Sequence, residues 1–279
     1  LYDVLMKKYP IVLTIAGSDS SGGAGIEADI KTISALGAFA TAAITAVTAQ
    51  NTTGVAAIQG IEPEIVGKQI DAVFDDMRPD AVKIGMLHSR EIIETVAKRL
   101  LFYKPAHVVL DPVMISTSGN RLINENAIIA LKQKLFPLAS LVTPNKFETE
   151  FLSGIDSAEN GFVQKSANEI MNIGACAVLI KGGHFSDSSV TDYLYDANGK
   201  EWQFPGTYID TANTHGTGCT LSSAIATRLA FGDSLPDAVK NAKIYLQNAL
   251  LHGKDVKTGN GHGPLNHFFN PQKLQIQTK

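Results

Sequence analysis

The segment Asn213-Thr214-His215-Gly216-Thr217-Gly218-Cys219-Thr220 carries the most chemistry in this chain. Its two glycines let the backbone approach a ligand closely. The helix that starts there points N–H groups and the positive end of its dipole at that ligand, which is a ready anion site. Cys219 falls in the first turn, where the dipole is expected to lower a thiol's pKa. Read alone, the same residues also describe a glycine-rich turn beside a small buried cysteine. Other polar residues shift that balance. Asp111-Pro112-Val113 puts a carboxylate at the end of an apolar strand, and Thr143-Pro144-Asn145-Lys146-Phe147-Glu148 puts Asn145 and Glu148 one helical turn apart on one face. Such oxygens suit Mg2+, which keeps waters and shares its ligands with phosphates, although each residue separately reads as a helix cap or a solvated carboxylate. Lys181-Gly182-Gly183-His184 adds a cation on the same rim. An anion-binding helix, a cation and hard-metal oxygens together make the inventory of phosphoryl transfer, whose catalysis is mostly positioning and charge neutralisation.

A second glycine-rich run, Gly17-Ser18-Asp19-Ser20-Ser21-Gly22-Gly23-Ala24-Gly25, follows an apolar stretch and matches part of the dinucleotide-binding fingerprint. That fold also needs an acid about 20 residues on to hold the ribose. Gln50 and Asn51 stand there instead, and no acid appears before Glu62, so a redox reading is set aside. No P-loop pattern occurs. The run reads either as a tight turn packing helix on sheet or as a ligand loop.

These motifs must be positioned by the elements between them. Pro10 to Ala16 reads as a buried strand, and Ile26, Ile30, Ile33 and Leu36 mark a helix closed by Gly37. Further strands are expected over residues 38–48, 81–85, 107–110, 140–143 and 177–180, and helices over 64–77, 89–102, 126–136, 163–173, 217–230 and 235–250. Residues 191–195 and 201–204 flank Asn198-Gly199, a strong hairpin signal. Strand–helix alternation implies a three-layer α/β/α sandwich with a mostly parallel sheet, a small β-hairpin addition, and ligands beyond the strands' carboxyl ends. Gly17, Gly85, Asp111, Asn145 and Lys181 all fall just after expected strands. The domain is expected over residues 11–269, with a lead at 1–10 and a tail at 270–279.

The 279 residues are 44% hydrophobic and 18% charged, which excludes a disordered chain. A net charge of −3 gives no strong field to hold nucleic acid or an anionic membrane. Two cysteines, Cys176 and Cys219, make no disulfide framework and fit a reducing compartment. No signal peptide or spanning segment is recognisable, so a cytoplasmic location is expected, with Met6 a candidate start.

The chain resembles the family of bacterial hydroxymethylpyrimidine/phosphomethylpyrimidine kinases of thiamine biosynthesis, within the ribokinase superfamily. The resemblance covers about residues 11–269. It rests on the runs Ala16 to Gly25, Thr48 to Thr52, Lys83 to Leu87, Leu110 to Val113, Thr143-Pro144-Asn145 with Glu148, Lys181 to His184, Asn213 to Thr220, and Gly261 to Phe268. Cys219 stands where most sugar kinases of the superfamily carry Asp, the variant of the vitamin-kinase branch. The resemblance implies a ribokinase-like fold, ATP as donor, Mg2+, a homodimer, and one site that phosphorylates first the hydroxymethyl group and then the monophosphate. It also implies that Gln50, Asp29, Gly17, Met86, Val113 and Cys219 line the pyrimidine pocket. By the same resemblance Cys219, Gly216, Gly218 and Lys181 are catalytic, Lys181, Thr217 and Gly218 meet the nucleotide, and Asp111, Asn145 and Glu148 hold the metal. Gln50 suits its role physically: its carbonyl can accept from an exocyclic amine while its amide donates to the adjacent ring nitrogen, as in adenine readout. Met86 and Val113 would supply apolar walls, with plain core the alternative for Met86 and a solvated helix residue the alternative for Asp29. Lys146-Phe147 departs from the family pattern but leaves the ends of Asn-x-x-Glu intact. His215 and His262 are expected to position loops.

Two other activities compete. Pyridoxal kinases share the Cys variant, but pyridoxal has no amidine-like edge for Gln50. A regulatory pyrimidine binder without turnover would not need Lys181, Glu148 and Cys219. With the sequence ending at Lys279, no fused thiamine-phosphate synthase domain is expected.

Overall fold

The apolar runs become the central strands and the amphipathic runs between them become helices. In chain order these are β1 (Lys7–Lys8), β2 (Ile11–Asp19), α1 (Gly25–Ala35), β3 (Phe39–Asn51), β4 (Gly54–Gly60), α2 (Pro63–Asp76), β5 (Ala81–Ile84), α3 (Arg90–Tyr103), β6 (Val108–Leu110), α4 (Glu125–Ala130), β7 (Leu141–Val142), α5 (Lys146–Ser153), α6 (Phe162–Asn172), β8 (Ala177–Ile180), β9 (Asp192–Asp196), β10 (Glu201–Phe204), α7 (Thr217–Ala230), α8 (Leu235–Gly253) and β11 (Gln277–Thr278). The structure, a computed structural model, describes residues 7–114, 123–183 and 190–278. The candidate start at Met6 and the His184 end of the Lys181 motif lie outside the described residues.

Nine strands form one sheet in the order β10-β9-β8-β7-β6-β5-β2-β3-β4. The six from β8 to β3 are parallel, and β4, β9 and β10 close the edges antiparallel. The β9–β10 hairpin turns at Asn198-Gly199, as its sequence requires. Parallel strands covered on both faces need apolar side chains on both, and β5 to β8 are buried throughout. One face packs against Ile70 of α2, Ile93 of α3, Ala127 of α4, Leu152 of α5 and Ile170 of α6. The other packs against Ile33 of α1, Ile225 of α7 and Val239 of α8. The result is the expected three-layer sandwich. No helix among the described residues is long and apolar enough to cross a membrane.

Several boundaries differ from expectation, each for a physical reason. β2 continues through Gly17 to Asp19 after a bulge between Ala16 and Ser18, so Gly17 lies within the strand rather than after it. β3 extends to Asn51 and turns into the unexpected β4. Most of β4 is solvent-exposed, so it shows no apolar alternation to read. The Asn51 side-chain oxygen accepts from Thr53 N–H, Thr53 Oγ1 and Gly54 N–H and builds that turn. Gln50 therefore sits on a strand extension at the sheet's rim. The helix expected over 126–136 ends at Ala130 and passes through a π turn (Leu131–Leu135) and a 3-10 turn (Phe136–Leu138) containing Pro137. Residues expected as lead and tail meet each other, with Lys7 and Lys8 opposite Thr278 and Gln277.

Candidate active site

The site begins where the two glycine runs touch. Gly216 is the N-cap of α7 at φ +84°, and a Cβ there would overlap the Gly23 carbonyl oxygen. Only glycine permits both the left-handed backbone and the contact. The first helical bond of α7 runs from Thr220 N–H to Gly216 O (2.8 Å), and Thr217 N–H turns back to Thr214 O (3.3 Å). The N–H groups of Gly218 and Cys219 thus have no acceptor within the helix. A Cβ on Gly218 would lie 3.3 Å from both Asp111 Oδ2 and Lys181 Nζ. Asp111, just past β6, and Lys181, just past β8, are themselves paired at 2.8 Å. Helix terminus, cation and carboxylate converge on one point.

Thr143 Oγ1 donates to Asp111 Oδ1 (3.2 Å), and Glu148 Oε2 lies 3.9 Å from Lys181 Nζ. Glu148 is buried, and burial pushes its carboxyl up to about 7, with Asp111 adding to the shift and Lys181 opposing it. Burial lowers the Lys181 pKa, but Asp111 and Glu148 outweigh it and hold the ammonium above its usual range. Asn145, expected as a metal ligand, has a second role here as a helix cap. It is the N-cap of α5, its Oδ1 accepts from Glu148 N–H (2.9 Å), and Glu148 Oε2 accepts from Asn145 N–H (2.8 Å), a complete capping box. Asn145 therefore shapes the helix start that carries Glu148. The described residues contain no cluster of three metal-binding side chains. The donors present, Asp111 and Glu148, fit Mg2+ held by one or two carboxylates and completed by water and phosphate oxygens.

The apolar wall forms where Met86 packs with Ala46, Ile58 and Val113. A Cβ on Gly17 would overlap Met86 Cε, so Gly17 makes room for that side chain. Asp29 departs from its expected place in the pocket lining and from its alternative as a solvated residue. It is fully buried, with Lys83 Nζ 2.9 and 2.7 Å from its two oxygens and Thr14 Oγ1 and Ser223 Oγ each donating at 2.6 Å. It binds the site's frame together from below. Cys219 also departs from expectation. Its thiol is pushed up to about 11 by burial first, with Asp29 and Asp111 adding, against the Lys83 ammonium and the Gly25 N–H. Desolvation is the largest cause there.

Three groups went unread in the sequence. Lys83 was legible only as a lysine inside an apolar strand. Asp19 accepts from Ser21 N–H and Oγ, from Ala24 N–H, and from His215 Nε2 at 2.8 Å. Burial raises its pKa, but those bonds, His215 first, prevail and hold it at about 2. His215 thereby ties the α7 approach to the first glycine run, consistent with its expected loop role. Asp192 Oδ1 accepts from Gly182 N–H and its other oxygen pairs with Lys243, both at 2.8 Å, which steadies the turn carrying Lys181.

The chain as a whole is similar to known proteins. The chain is 48% identical over 259 residues to a hydroxymethylpyrimidine/phosphomethylpyrimidine kinase of Rhizobium meliloti, covering 92% of this chain and 97% of that one. It is 47% identical over 258 residues to a thiamine biosynthesis bifunctional protein of Geobacter sulfurreducens, of which it spans only 52%. The pyridoxal kinase from Staphylococcus aureus in complex with AMP-PCP and pyridoxal superposes with a TM-score of 0.85 at 31% identity, over 98% of this chain and 99% of that one. The phosphomethylpyrimidine kinase model matches residues 19–266, from the Asp19 loop through the α7 terminus to the segment beyond α8, and the chain belongs to that family.

Proposed function

We propose that the chain transfers the γ-phosphoryl group of ATP to the hydroxymethyl group of 4-amino-5-hydroxymethyl-2-methylpyrimidine, and then a second phosphoryl group to the resulting monophosphate, in thiamine biosynthesis. The observation that carries this is the meeting of the Gly218 backbone with Asp111 and Lys181 at the start of α7. Phosphoryl transfer needs its migrating charge held in place more than it needs covalent help. The Gly218 and Cys219 N–H groups can take a phosphoryl oxygen, and Lys181 can neutralise a neighbouring one. Bound Mg2+ would supply further neutralisation of phosphate charge, with Asp111 and Glu148 as its protein ligands. Cys219, the base assigned at the helix mouth, is a neutral thiol at pH 7 and can take a proton only through its thiolate minority. A loose transition state asks for little more. Gln50 would read the aminopyrimidine edge, beside the wall of Met86 and Val113. A homodimer in the cytoplasm is part of the same proposal and rests on the family resemblance.

Pyridoxal phosphorylation is the second reading, favoured by the superposition on the Staphylococcus aureus enzyme. Gln50 speaks against it as the main activity. ATP consumption measured side by side with the hydroxymethylpyrimidine, its monophosphate and pyridoxal decides. Faster turnover of pyridoxal would reverse the assignment, and no turnover of any of the three would favour a regulatory binder.

A further inference from the structure

The Gln50 side chain lies between two groups whose hydrogen bonding is already determined. Gln50 Nε2 is 3.2 Å from His215 Nε2, and Gln50 Oε1 is 3.3 Å from Thr48 Oγ1. Oxygen and nitrogen of an amide are interchangeable in shape, so the neighbours decide which faces which. Asp19 Oδ2 accepts from Ala24 N–H (2.8 Å) and Gly23 N–H (3.2 Å), an environment that keeps the carboxylate ionised. The His215 Nε2 that stands 2.8 Å from the same oxygen therefore carries a proton. That proton is given to Asp19, so Nε2 keeps no lone pair to accept an amide N–H at 3.2 Å, whereas an amide oxygen there can share the proton in a three-centre contact. The other end agrees. Thr48 has one hydroxyl proton, and it is given to the Ser18 carbonyl at 2.9 Å. Towards Gln50 the Thr48 oxygen can only accept, which needs the amide nitrogen. His215 thus refuses the amide nitrogen and Thr48 requires it, which places the oxygen on the His215 side and the nitrogen on the Thr48 side.

We propose that Asp19, acting through His215, locks the Gln50 amide in this orientation, and that the lock makes the site select an aminopyrimidine edge over an oxopyrimidine edge. The inference rests on Gln50 being the ring-reading residue. With His215 and Thr48 satisfied, Gln50 has one lone pair and one N–H left for a ligand, the acceptor on the His215 side and the donor on the Thr48 side. A 4-aminopyrimidine offers the complement: its exocyclic amine donates to the oxygen and its ring N3 accepts from the nitrogen. A 4-oxopyrimidine carrying its proton on N3 offers the reverse. Pairing with it requires Gln50 to turn over, which sets an amide N–H against the His215 N–H and strips Thr48 of its donor. The built-in penalty against the wrong edge gives the specificity. The locked orientation also agrees with the chemistry. It places the amine on the His215 side, and the hydroxymethyl group on the adjacent ring carbon then emerges on that side, where the chain runs from His215 through Gly216 into α7.

His215 and Asp19 are positioning residues in this scheme. The test is binding, by calorimetry on the full chain, of 4-amino-5-hydroxymethyl-2-methylpyrimidine and its 4-oxo analogue. Wild type is expected to favour the amino compound by about a hundredfold or more. His215→Phe should narrow that ratio by about tenfold or more, because the released amide turns to suit either ring. His215→Gln, whose amide nitrogen reaches the place of Nε2 with a proton to give, should restore most of the ratio. Gln50→Leu should abolish the preference and weaken both ligands. A wild-type ratio in Gln50→Leu refutes the underlying reading of Gln50. A collapsed ratio in Gln50→Leu with a wild-type ratio in His215→Phe overturns the lock and leaves that reading standing. Equal loss of both ligands in His215→Phe and His215→Gln also overturns it, since His215 would then only support its loop. Neutron diffraction on the wild-type chain needs no variant: two deuterons on the Gln50 atom facing His215 overturn the lock, and none there supports it.

Discussion

Lys83→Met is the substitution with the largest expected effect on the molecule. The Lys83 ammonium and Asp29 carboxylate are fully buried and joined by two contacts of 2.9 and 2.7 Å. Without the ammonium, Asp29 keeps only the hydroxyls of Thr14 and Ser223, in a place water does not reach. Removing one partner of a buried pair costs about 3–5 kcal/mol, a large part of the roughly 5–15 kcal/mol that holds a domain together. Asp29→Asn should cost about the same for the opposite reason. The double variant Lys83→Met/Asp29→Asn removes both charges and should cost less than the two single changes added, by about 2 kcal/mol or more. Burial opposes the charge on Lys83, yet Asp29 outweighs it and raises its pKa above the unfolded value. The contribution is therefore complete at neutral pH and is lost only as the pH rises through the folded value. Urea unfolding at pH 7 measures all three variants, with an unchanged m-value required for comparison. Single changes costing under about 1 kcal/mol, or strictly additive changes, would refute the view that this pair holds α1, β5 and α7 together.

Three other outcomes are expected. Asp19, held at about 2, well below the ordinary carboxylate range, should contribute about 2 kcal/mol at pH 7. That contribution is present above about pH 4 and fades as pH falls toward 2, so Asp19→Asn should lower stability at pH 7 and flatten the acid limb of a stability–pH curve. Glu148, raised to about 7 by burial, should bind Mg2+ more tightly at pH 8 than at pH 6; Glu148→Gln should keep its capping role, raise the Mg2+ requirement and remove that pH dependence in a metal titration. Cys219, with its thiol near 11, is a thiolate in only about one molecule in 10⁴ at pH 7, so the first transfer should speed up with each pH unit between 7 and 9. Cys219→Ala should lose that slope in single-turnover kinetics and slow the first transfer more than the second, because a phosphate monoester with pKa near 6 is already deprotonated; equal slowing of both would mean that Cys219 only positions the helix.

The frame was legible because its signals are local. Period and length marked each parallel strand, and Gly37 and Asn198-Gly199 marked their turns. β4 was not legible, since a largely exposed edge strand leaves no alternation. The α7 terminus, Asp111 and Lys181 were found because each stands at an end where the apolar pattern stops. For Asn145, capping and metal binding ask for the same oxygen, and the bond from Glu148 N–H at 2.9 Å shows the capping role, which the metal reading had put second. Asp29 and Cys219 were misjudged for one reason: burial is a property of the folded whole. The helix dipole at Cys219 can be read from position, but the desolvation that raises the thiol depends on what packs around the turn. Asp19 and His215 are 196 positions apart, and nothing in either motif announces the other.

Solvent access divides the labour between the site's two lysines. Each is pinned to an aspartate at nearly the same distance, Lys83 to Asp29 at 2.7 Å and Lys181 to Asp111 at 2.8 Å. Lys83 and Asp29 have no exposed surface, so neither can exchange its partner without unfolding, and their charges cancel. Lys181 keeps 14% of its side chain exposed and faces the Gly218 backbone and Glu148 as well as Asp111. An arriving phosphate can draw the Lys181 ammonium while a cation takes over Asp111, a swap that leaves every charge paired. The partners of Lys181 are therefore exchangeable where those of Lys83 are permanent. Lys181→Met should accordingly abolish turnover at a smaller cost in stability than Lys83→Met, because the Lys181 position opens to solvent and that of Lys83 does not. Unfolding measured beside turnover separates the two lysines, and a Lys181→Met chain as unstable as Lys83→Met would show that both pairs are structural.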